Sequence, residues 1–371
     1  MNNIKTWLND SKYISPLSPG CKMCAKGSKM VLLVTGMCPS NCFYCPLSLE
    51  KLNKDCIFAD EWKLENEDDT QKLLLESKYI DAEGAGITGG DPFIVWKRTK
   101  RYIEFLKDSF GSNFHIHLYT SGIKNAGYID DLVSAGLDEI RFHPMPNYWE
   151  NMEKSPVKNS IKNSLKTDAD VAIEIPVITS MKNQIIKLIN WASKQKINWV
   201  NLNELEFSET NAENLISKKY DVKDDISSAV KDSEKTAYDI LEYFKQKDLD
   251  IGIHYCSSSF KDGVQLRNRI KRRAKNISKK YETITNDGTL LKGIIVPGSE
   301  FTINKISAIL KDKYKIKNEE MYINKKESRV ELSVKKVKEI SIDLKGLNVE
   351  CYIIENYPTA DGLEVERIPI N

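Results

Sequence analysis

Three cysteines, Cys38, Cys42 and Cys45, crowd residues 35–48 of the chain, which read TGMCPSNCFYCPLS. A disulfide framework needs paired cysteines and an oxidising compartment, whereas three thiols that converge on one point suit a metal better. Three thiolates are one ligand short of a closed tetrahedral site, so a [4Fe–4S] cube held by them keeps one iron open to an outside ligand. The spacing therefore predicts a metal centre able to do chemistry.

The CxxxCxxC spacing, with Tyr44 just before the last cysteine, resembles the signature of the radical S-adenosylmethionine (radical SAM) enzymes. The segments CKMCAKGSKMVLLVTGMCPSNCFYCPLS and GAGITGGDP are similar, more closely, to a mainly archaeal lineage related to pyruvate formate-lyase activating enzyme. This likeness covers about residues 20–280 and, more weakly, the C-terminal tail. It implies a [4Fe–4S] cluster and S-adenosylmethionine as cofactors. It also implies reductive cleavage of S-adenosylmethionine to a 5′-deoxyadenosyl radical that abstracts hydrogen from a substrate, as in an oxidoreductase or transferase.

The resemblance also assigns residues to S-adenosylmethionine. Gly89, Gly90 and Asp91 stand where relatives carry Gly-Gly-Glu, whose backbone and carboxylate hold the methionyl ammonium, and Asp91 is one methylene shorter than that Glu. Thr120 and Ser121 stand where relatives have Thr-Asn, with hydroxyls suited to the ribose or the carboxylate of the cofactor. The other expected contacts are Tyr44 and Glu174, although the glycines common in relatives near Glu174 are absent here.

Short apolar runs alternate with helix-patterned segments from Met30 onward, which is typical of βα units around a parallel sheet. The resemblance specifies an incomplete (β/α)6-type barrel, a partial TIM barrel, with its chemistry at the C-terminal mouth. We expect a cysteine-containing extension over residues 1–29, the partial barrel over residues 30–280, and a small α+β domain over residues 281–371. In that domain we expect strands and hairpins with one helix near residues 305–310.

All four histidines fall on predicted strands. Side chains two apart share a face of a strand, so His115, His117 and Tyr119 point one way and the intervening apolar residues the other. His115 and His117 are expected to be satisfied core residues. His143 and His254, nearer the ends of their strands, are the candidate catalytic residues.

Composition excludes a membrane protein. Of 371 residues, 41% are hydrophobic and 29% charged, the net charge is +2, and no apolar run approaches the ~20 residues of a membrane helix. We expect a cytoplasmic protein that receives electrons from a donor such as ferredoxin or flavodoxin.

The substrate stays open between three classes: a small molecule, a protein glycine and RNA. RNA is suggested by residues 267–280, RNRIKRRAKNISKK, which otherwise form a solvated helix face. A non-catalytic, metal-stabilised scaffold that binds a partner is a further alternative, but it leaves the open three-thiol site unexplained.

A second metal site is the last prediction. Cys21 and Cys24 form a CxxC pair, and Cys256 points to the same face of its predicted strand as His254. We expect these three thiols to hold a second iron–sulfur cluster or a zinc ion, with Cys56 or His254 as fourth ligand. Thiols that are merely packed are the alternative.

Overall fold

The computed structural model describes residues 3–124, 126–247, 249–299, 302–344 and 347–370. The chain forms two compact units, Met1–Lys78 with Ala82–Leu266, and Tyr79–Asp81 with Arg267–Asn371. No helix in the described part of the chain has both the length and the apolar character needed to span a bilayer.

The first unit is built on one large sheet. Its strands are β1 (Ile4–Thr6), β2 (Lys12–Ile14), β3 (Lys29–Thr35), β4 (Phe58–Ala59), β5 (Trp62–Lys63), β6 (Gly84–Gly89), β7 (His115–Thr120), β8 (Glu139–Phe142), β9 (Asp170–Pro176), β10 (Trp199–Asn203), β11 (Val222–Asp224), β12 (Ser227–Val230) and β13 (Gly252–Cys256). Its helices are α1 (Pro19–Lys26), α2 (Thr70–Tyr79), α3 (Trp96–Phe110), α4 (Ile129–Ser134), α5 (Lys158–Ser164), α6 (Lys182–Lys194), α7 (Ala212–Ser217), α8 (Ser233–Lys245) and α9 (Ser258–Phe260).

Eleven of these strands form the large sheet, in the order β1-β2-β13-β10-β9-β8-β7-β6-β3-β4-β5, and β11 and β12 form a separate antiparallel pair. The run from β13 to β3 is parallel, and the two outermost strands at each edge are antiparallel. Among the described residues no pairing joins β1 to β5. The predicted incomplete α/β barrel is therefore confirmed as a partly parallel sheet that does not close.

Alternation along β7 shows how the sheet separates its two faces. Ile116 and Leu118 are completely buried on one face. His117 on the other face lies against Gly86, and the Tyr119 hydroxyl accepts a hydrogen bond from Arg141 at 3.2 Å. The polar residues therefore line the inside of the half-barrel, as the two-residue period predicts.

The N-terminal segment is part of this unit. Strand β2 pairs antiparallel with β13, and α1 lies against β3, β6 and β7. Helix α1 begins after Ser18, whose Oγ accepts from the Cys21 amide at 3.1 Å, and ends at Gly27, which has a φ of 69°. Gly20 lets α1 approach the polar inner face, because a Cβ there would lie 2.6 Å from both Arg141 and His117.

The second unit is antiparallel. Its strands are β14 (Thr283–Ile284), β15 (Leu290–Pro297), β16 (Met321–Asn324), β17 (Arg329–Leu332), β18 (Val349–Asn356) and β19 (Glu364–Pro369), and its helices are α10 (Arg267–Ile277), α11 (Ile303–Asp312) and α12 (Val334–Leu344). The sheet order is β16-β17-β15-β18-β19, with β14 beside β15. The chain enters this unit at Arg267, earlier than the boundary expected at residue 280.

We expected one helix over residues 281–371. This prediction was wrong, because both α11 and α12 lie there. Its β-branched residues favoured a strand, yet Val337, Ile340 and Leu344 are buried at helical spacing against the sheet. The α+β class of the unit is as expected.

The basic tract of residues 267–280 lies largely on α10, and part of it has internal partners. Arg272 Nε donates to the Ile80 carbonyl at 2.6 Å, and Nη2 donates to the Asp81 carbonyl at 2.6 Å. Arg273 is buried and donates to the Pro358 carbonyl. These two arginines hold the second unit together.

Candidate active site

The loop after β3 carries Cys38, Cys42 and Cys45. The Cys45 amide donates to the Cys42 carbonyl at 3.0 Å, which turns the backbone between the last two thiols, and the Ser40 amide donates to Cys38 Sγ at 3.4 Å. Burial raises the pKa of the Cys42 thiol to about 11 and also raises the pKa of Cys38. A metal that binds here must therefore displace protons from these thiols.

Tyr44 fixes this loop to the sheet through His143. The Tyr44 hydroxyl lies 2.9 Å from His143 Nε2, and His143 Nδ1 lies 2.7 Å from the Glu174 carbonyl oxygen. A carbonyl only accepts, so Nδ1 carries the proton and Nε2 accepts from Tyr44. Burial lowers the pKa of His143 and keeps the ring neutral. With both nitrogens engaged, this candidate catalytic residue positions Tyr44.

The loop after β10 holds the other side of the cysteine loop. Asn211 Nδ2 donates to the Tyr44 carbonyl at 3.1 Å, and Thr210 Oγ1 donates to the Cys45 carbonyl at 3.1 Å. Sequence reasoning missed both residues, because their partners lie far away in the chain and no motif marks them.

Gly89 and Gly90 allow the end of β6 and the loop that follows it to pass close to the loop after β3. Gly89 has a φ of 138°, and a Cβ on it would lie 2.1 Å from the Thr35 carbonyl oxygen. A Cβ on Gly90 would lie 2.1 Å from the Met37 carbonyl oxygen. These glycines are therefore required first for contact between the two loops, and both also line the central cavity.

The geometry does not support the expected contact between Asp91 and an ammonium group. Asp91 is fully buried, and its Oδ1 accepts from Thr120 Oγ1 at 2.8 Å and from the Phe93 amide at 3.1 Å. Its Oδ2 accepts from the amide and the hydroxyl of Ser121. Burial raises the pKa of Asp91, although these donors oppose the shift. The carboxylate thus positions Thr120 and Ser121, which line the cavity.

Glu174 is the centre of a polar network on the inner face. Its Oε2 accepts from Arg141 at 2.8 Å and from Asn201 at 3.0 Å, and its Oε1 accepts from Asn203 at 2.9 Å. Burial alone would raise the pKa of Glu174, but Arg141 and the two amides outweigh it and lower the pKa. Glu174 therefore stays a carboxylate in the wall of the cavity.

A cavity of about 580 Å³ joins these parts. This volume is within the range of about 300–1,000 Å³ usual for ligand pockets. Its wall includes the three loop thiols and most of the residues expected to contact S-adenosylmethionine, namely Cys38, Cys42, Cys45, Tyr44, Gly89, Gly90, Thr120, Ser121 and Glu174. The same wall includes Cys24, Lys29, His117, Lys261 and Gln265.

The residues expected at a second metal site come from α1 and β13. Cys21 and Cys256 are buried, and Cys24 lines the cavity. His254 is 3% exposed and packs against Trp7 and Phe260, with ring centroids 5.5 and 6.4 Å away. This packing separates His254 from the expected catalytic role. Cys56 contacts the Lys51 carbonyl at 4.0 Å, in the segment before β4.

Within the described residues, one group of three potential metal ligands lies within 4.8 Å of one another: His115, His117 and Glu139. Two buried cations occupy its flanks. Lys29 Nζ is 2.9 Å from His115 Nδ1, and Arg141 Nε is 2.7 Å from Glu139 Oε1. A metal ion there would lie beside two buried cations, and Glu139 already pairs with one of them, so this group is an internal polar network.

A model of the radical SAM superfamily matches residues 32–144, which contain the three loop cysteines, and the chain belongs to this superfamily of enzymes. Its cofactors are a [4Fe–4S] cluster and S-adenosylmethionine. A protein of Methanocaldococcus jannaschii, curated under the provisional name of glycyl-radical enzyme activating enzyme, is 39% identical over 362 residues, 95% of this chain and 93% of that protein. A model described as a domain of unknown function, DUF8061, matches residues 288–370.

Solved structures with a similar fold share little sequence. Streptococcus suis SuiB bound to S-adenosylmethionine is 12% identical over 62% of this chain, with a TM-score of 0.44, and the match spans 50% of the SuiB chain. Methylornithine synthase (PylB) is also 12% identical, over 59% of this chain and 63% of its own, with a TM-score of 0.40.

Proposed function

We propose that Cys38, Cys42 and Cys45 hold a [4Fe–4S] cluster and that the protein cleaves S-adenosylmethionine reductively, so that a 5′-deoxyadenosyl radical abstracts hydrogen from a substrate. One observation carries this proposal: three thiols of one loop face the same cavity as Gly89, Gly90 and the Thr120 hydroxyl. The described residues contain no group of three thiols within 4.8 Å. That separation suits a cluster, in which each thiolate binds its own iron, better than a single ion.

The chain's own residues bind and orient the reactants. When bound, the cluster supplies the electron for cleavage. Because the Asp91 carboxylate is occupied, we assign the methionyl ammonium to the backbone carbonyl oxygens of Gly89 and Gly90, which line the cavity. Ser121 and Glu174 offer polar groups to the ribose and the carboxylate of S-adenosylmethionine. Tyr44, held by His143, fixes the cysteine loop against this wall.

Replacement of one loop cysteine tests the site. After anaerobic reconstitution with iron and sulfide, dithionite-reduced wild-type protein should convert S-adenosylmethionine to 5′-deoxyadenosine. Cys42→Ala should reduce this product to the background of the protein-free reaction, because the cluster loses a ligand. Cys56→Ala is the matched control and should retain activity, since its thiol contacts the Lys51 carbonyl. Formation of 5′-deoxyadenosine by Cys42→Ala at the wild-type rate would contradict the assignment.

We further propose that the hydrogen comes from a glycine of a partner protein, with ferredoxin or flavodoxin as electron donor. The name of the M. jannaschii relative supports this substrate class. RNA receives less support, because Arg272 and Arg273 of the basic tract bind backbone carbonyls of the chain itself.

Isotope transfer tests the glycine proposal. A gel-filtered extract of cells grown on α-deuterated glycine would be added to the reconstituted enzyme, and the 5′-deoxyadenosine formed would be analysed by mass spectrometry. Deuterium in the product, lost when the extract is first digested with protease, is the expected result. Product that forms without deuterium would refute glycine as the donor while leaving the cleavage reaction established.

A further inference from the structure

We propose that Cys21, Cys24 and Cys256, with His254 as fourth ligand, hold a second iron–sulfur cluster inside the half-barrel. The first cluster, at the loop cysteines, is a separate site, so this inference does not depend on the proposed reaction.

Helix α1 brings the first two thiols to the inner face of the sheet. Residues three apart lie on the same side of a helix, so Cys21 and Cys24 point the same way. Cys21 Sγ is 3.7 Å from Asn201 Oδ1 and 3.8 Å from Arg141 Nη2, which places it over β10 and β8. Cys24 lines the cavity beside that position.

The third thiol comes from β13, the last strand of the large sheet in chain order. In the pairing of β10 with β13, Asn203 is opposite Cys256 and Asn201 is opposite His254. Ala25, the residue that follows Cys24 on α1, packs against the buried cluster of Cys256, Phe260 and Val264. Gln265, which lines the cavity together with Cys24, donates its side-chain amide to Cys256 Sγ at 3.6 Å. Cys256, which is distant in sequence, therefore lies in the same region as Cys21 and Cys24.

His254 is an independent sign of a ligand. It is 3% exposed, and neither of its ring nitrogens has a hydrogen-bond partner among the described residues. A buried polar group in this condition costs roughly 1–3 kcal/mol unless something binds it. His254 is on the same face of β13 as Cys256. His254 packs against Trp7 and Phe260, and Cys256 shares a buried cluster with Phe260. Its nitrogen is thus available as the fourth ligand, and histidine is a known partner of cysteine in iron–sulfur centres.

The charge of the surroundings also suits a cluster with thiolate ligands. Lys29 is 3% exposed, lines the cavity with Cys24, and forms no ion pair among the described residues. Burial lowers the pKa of Lys29 to about 8, and the charge of Cys24 opposes this shift. Arg141 lies beside Cys21. Thiolates at this place would therefore face two buried cations.

A cluster fits the spacing better than zinc. Tetrahedral zinc with bonds of about 2.3 Å would bring its thiolates close together. No three thiols of the described residues lie within 4.8 Å, whereas the ligands of a cluster bind different irons and stand farther apart.

Metal analysis of variants tests the proposal separately from the first site. Cys38→Ala/Cys42→Ala/Cys45→Ala removes the loop ligands, and Cys21→Ala/Cys24→Ala removes two ligands of the second site. After anaerobic reconstitution and gel filtration, the triple variant should retain iron and inorganic sulfide in equal amounts, and a variant with all five substitutions should retain neither. Circular dichroism monitors folding. A folded triple variant without iron and sulfide, or one that binds zinc without sulfide, would overturn the proposal.

Two further measurements identify the ligands without relying on the five-substitution variant. In the triple variant, reconstitution should protect Cys24 from alkylation, as read by mass spectrometry. Adding His254→Ala should change the electron paramagnetic resonance spectrum of the reduced cluster, whereas adding Cys56→Ala should leave it unchanged. An alkylation rate unaffected by reconstitution refutes Cys24, and a spectrum unaffected by His254→Ala refutes His254 as the fourth ligand.

Discussion

Asp91 is a buried carboxylate next to two hydroxyl groups of the cavity wall. Its oxygens accept from Thr120, Phe93 and Ser121, which connect the end of β6 to the end of β7. The positions of the Thr120 and Ser121 hydroxyls therefore depend on Asp91.

Asp91→Asn tests this role. The new amide group would face the Ser121 amide with a donor where an acceptor is needed, so Ser121 should shift. Hydrogen bonds to charged groups contribute ~1.5–3 kcal/mol, so affinity for S-adenosylmethionine should fall roughly tenfold or more. Equilibrium dialysis measures affinity, and iron content should stay at the wild-type value. Asp130→Asn, an exposed position on α4, is the control, and unchanged affinity in Asp91→Asn would refute the role.

The sequence predicts ligand types more readily than it predicts the partners of each residue. The spacing of Cys38, Cys42 and Cys45 belongs to one loop, so it is visible in the chain. The partners of Asp91 come from the next strand, and Lys29 is a single charge at the start of an apolar strand. Such contacts arise only when the sheet brings distant segments together.

Among the elements, the parallel strands were the most predictable and the N-terminal segment the least. Buried parallel strands appear as short apolar runs, and β3 begins one residue before Met30, where the alternation of such runs was expected to start. Helix α1 was not expected inside the half-barrel, because its path depends on close contact at Gly20. The segment of α12 belongs to the region where we expected strands and hairpins, although its apolar spacing is helical.

Gly20→Ala tests the packing of α1. The added methyl group would lie 2.6 Å from Arg141 Nη2 and His117 Nδ1, so α1 must move away from the sheet. Overpacking of this kind costs about 1–3 kcal/mol, which should appear as a lower urea midpoint. Gly127→Ala is the control, since a Cβ there meets nothing within 4 Å. Equal midpoints for the two variants would contradict the close contact.

For the whole molecule, we expect low pH to reduce the folding stability of the apoprotein, because its four histidines bind protons more readily in the unfolded state. Burial lowers the pKa of all four, that of His115 to about 3 and that of His254 to about 4. An unfolded histidine titrates near ~6.5, so below that pH the unfolded state binds more protons than the folded state. Stability is therefore complete above about 6.5 and declines as the pH falls toward the folded values.

His115→Gln isolates one of these contributions. Each such histidine contributes about 1.4 kcal/mol per pH unit below ~6.5, so wild type should lose about 1.4 kcal/mol more than the variant between roughly pH 7.5 and 5.5. Urea unfolding followed by tryptophan fluorescence measures this, because all six tryptophans precede Arg267 and report on the first unit. An equal loss in both proteins would show that His115 is not held neutral.

The short antiparallel strands at the edges of the large sheet also bear on aggregation. At one edge β1 and β2 have three residues each, and at the other β4 and β5 have two each. They cover β13 and β3, whose backbone N–H and C=O groups would otherwise be free to pair with a strand of another chain. Removal of the first fourteen residues would expose the edge of β13 and favour strand pairing between molecules. The N-terminal strands therefore protect the open half-barrel from aggregation.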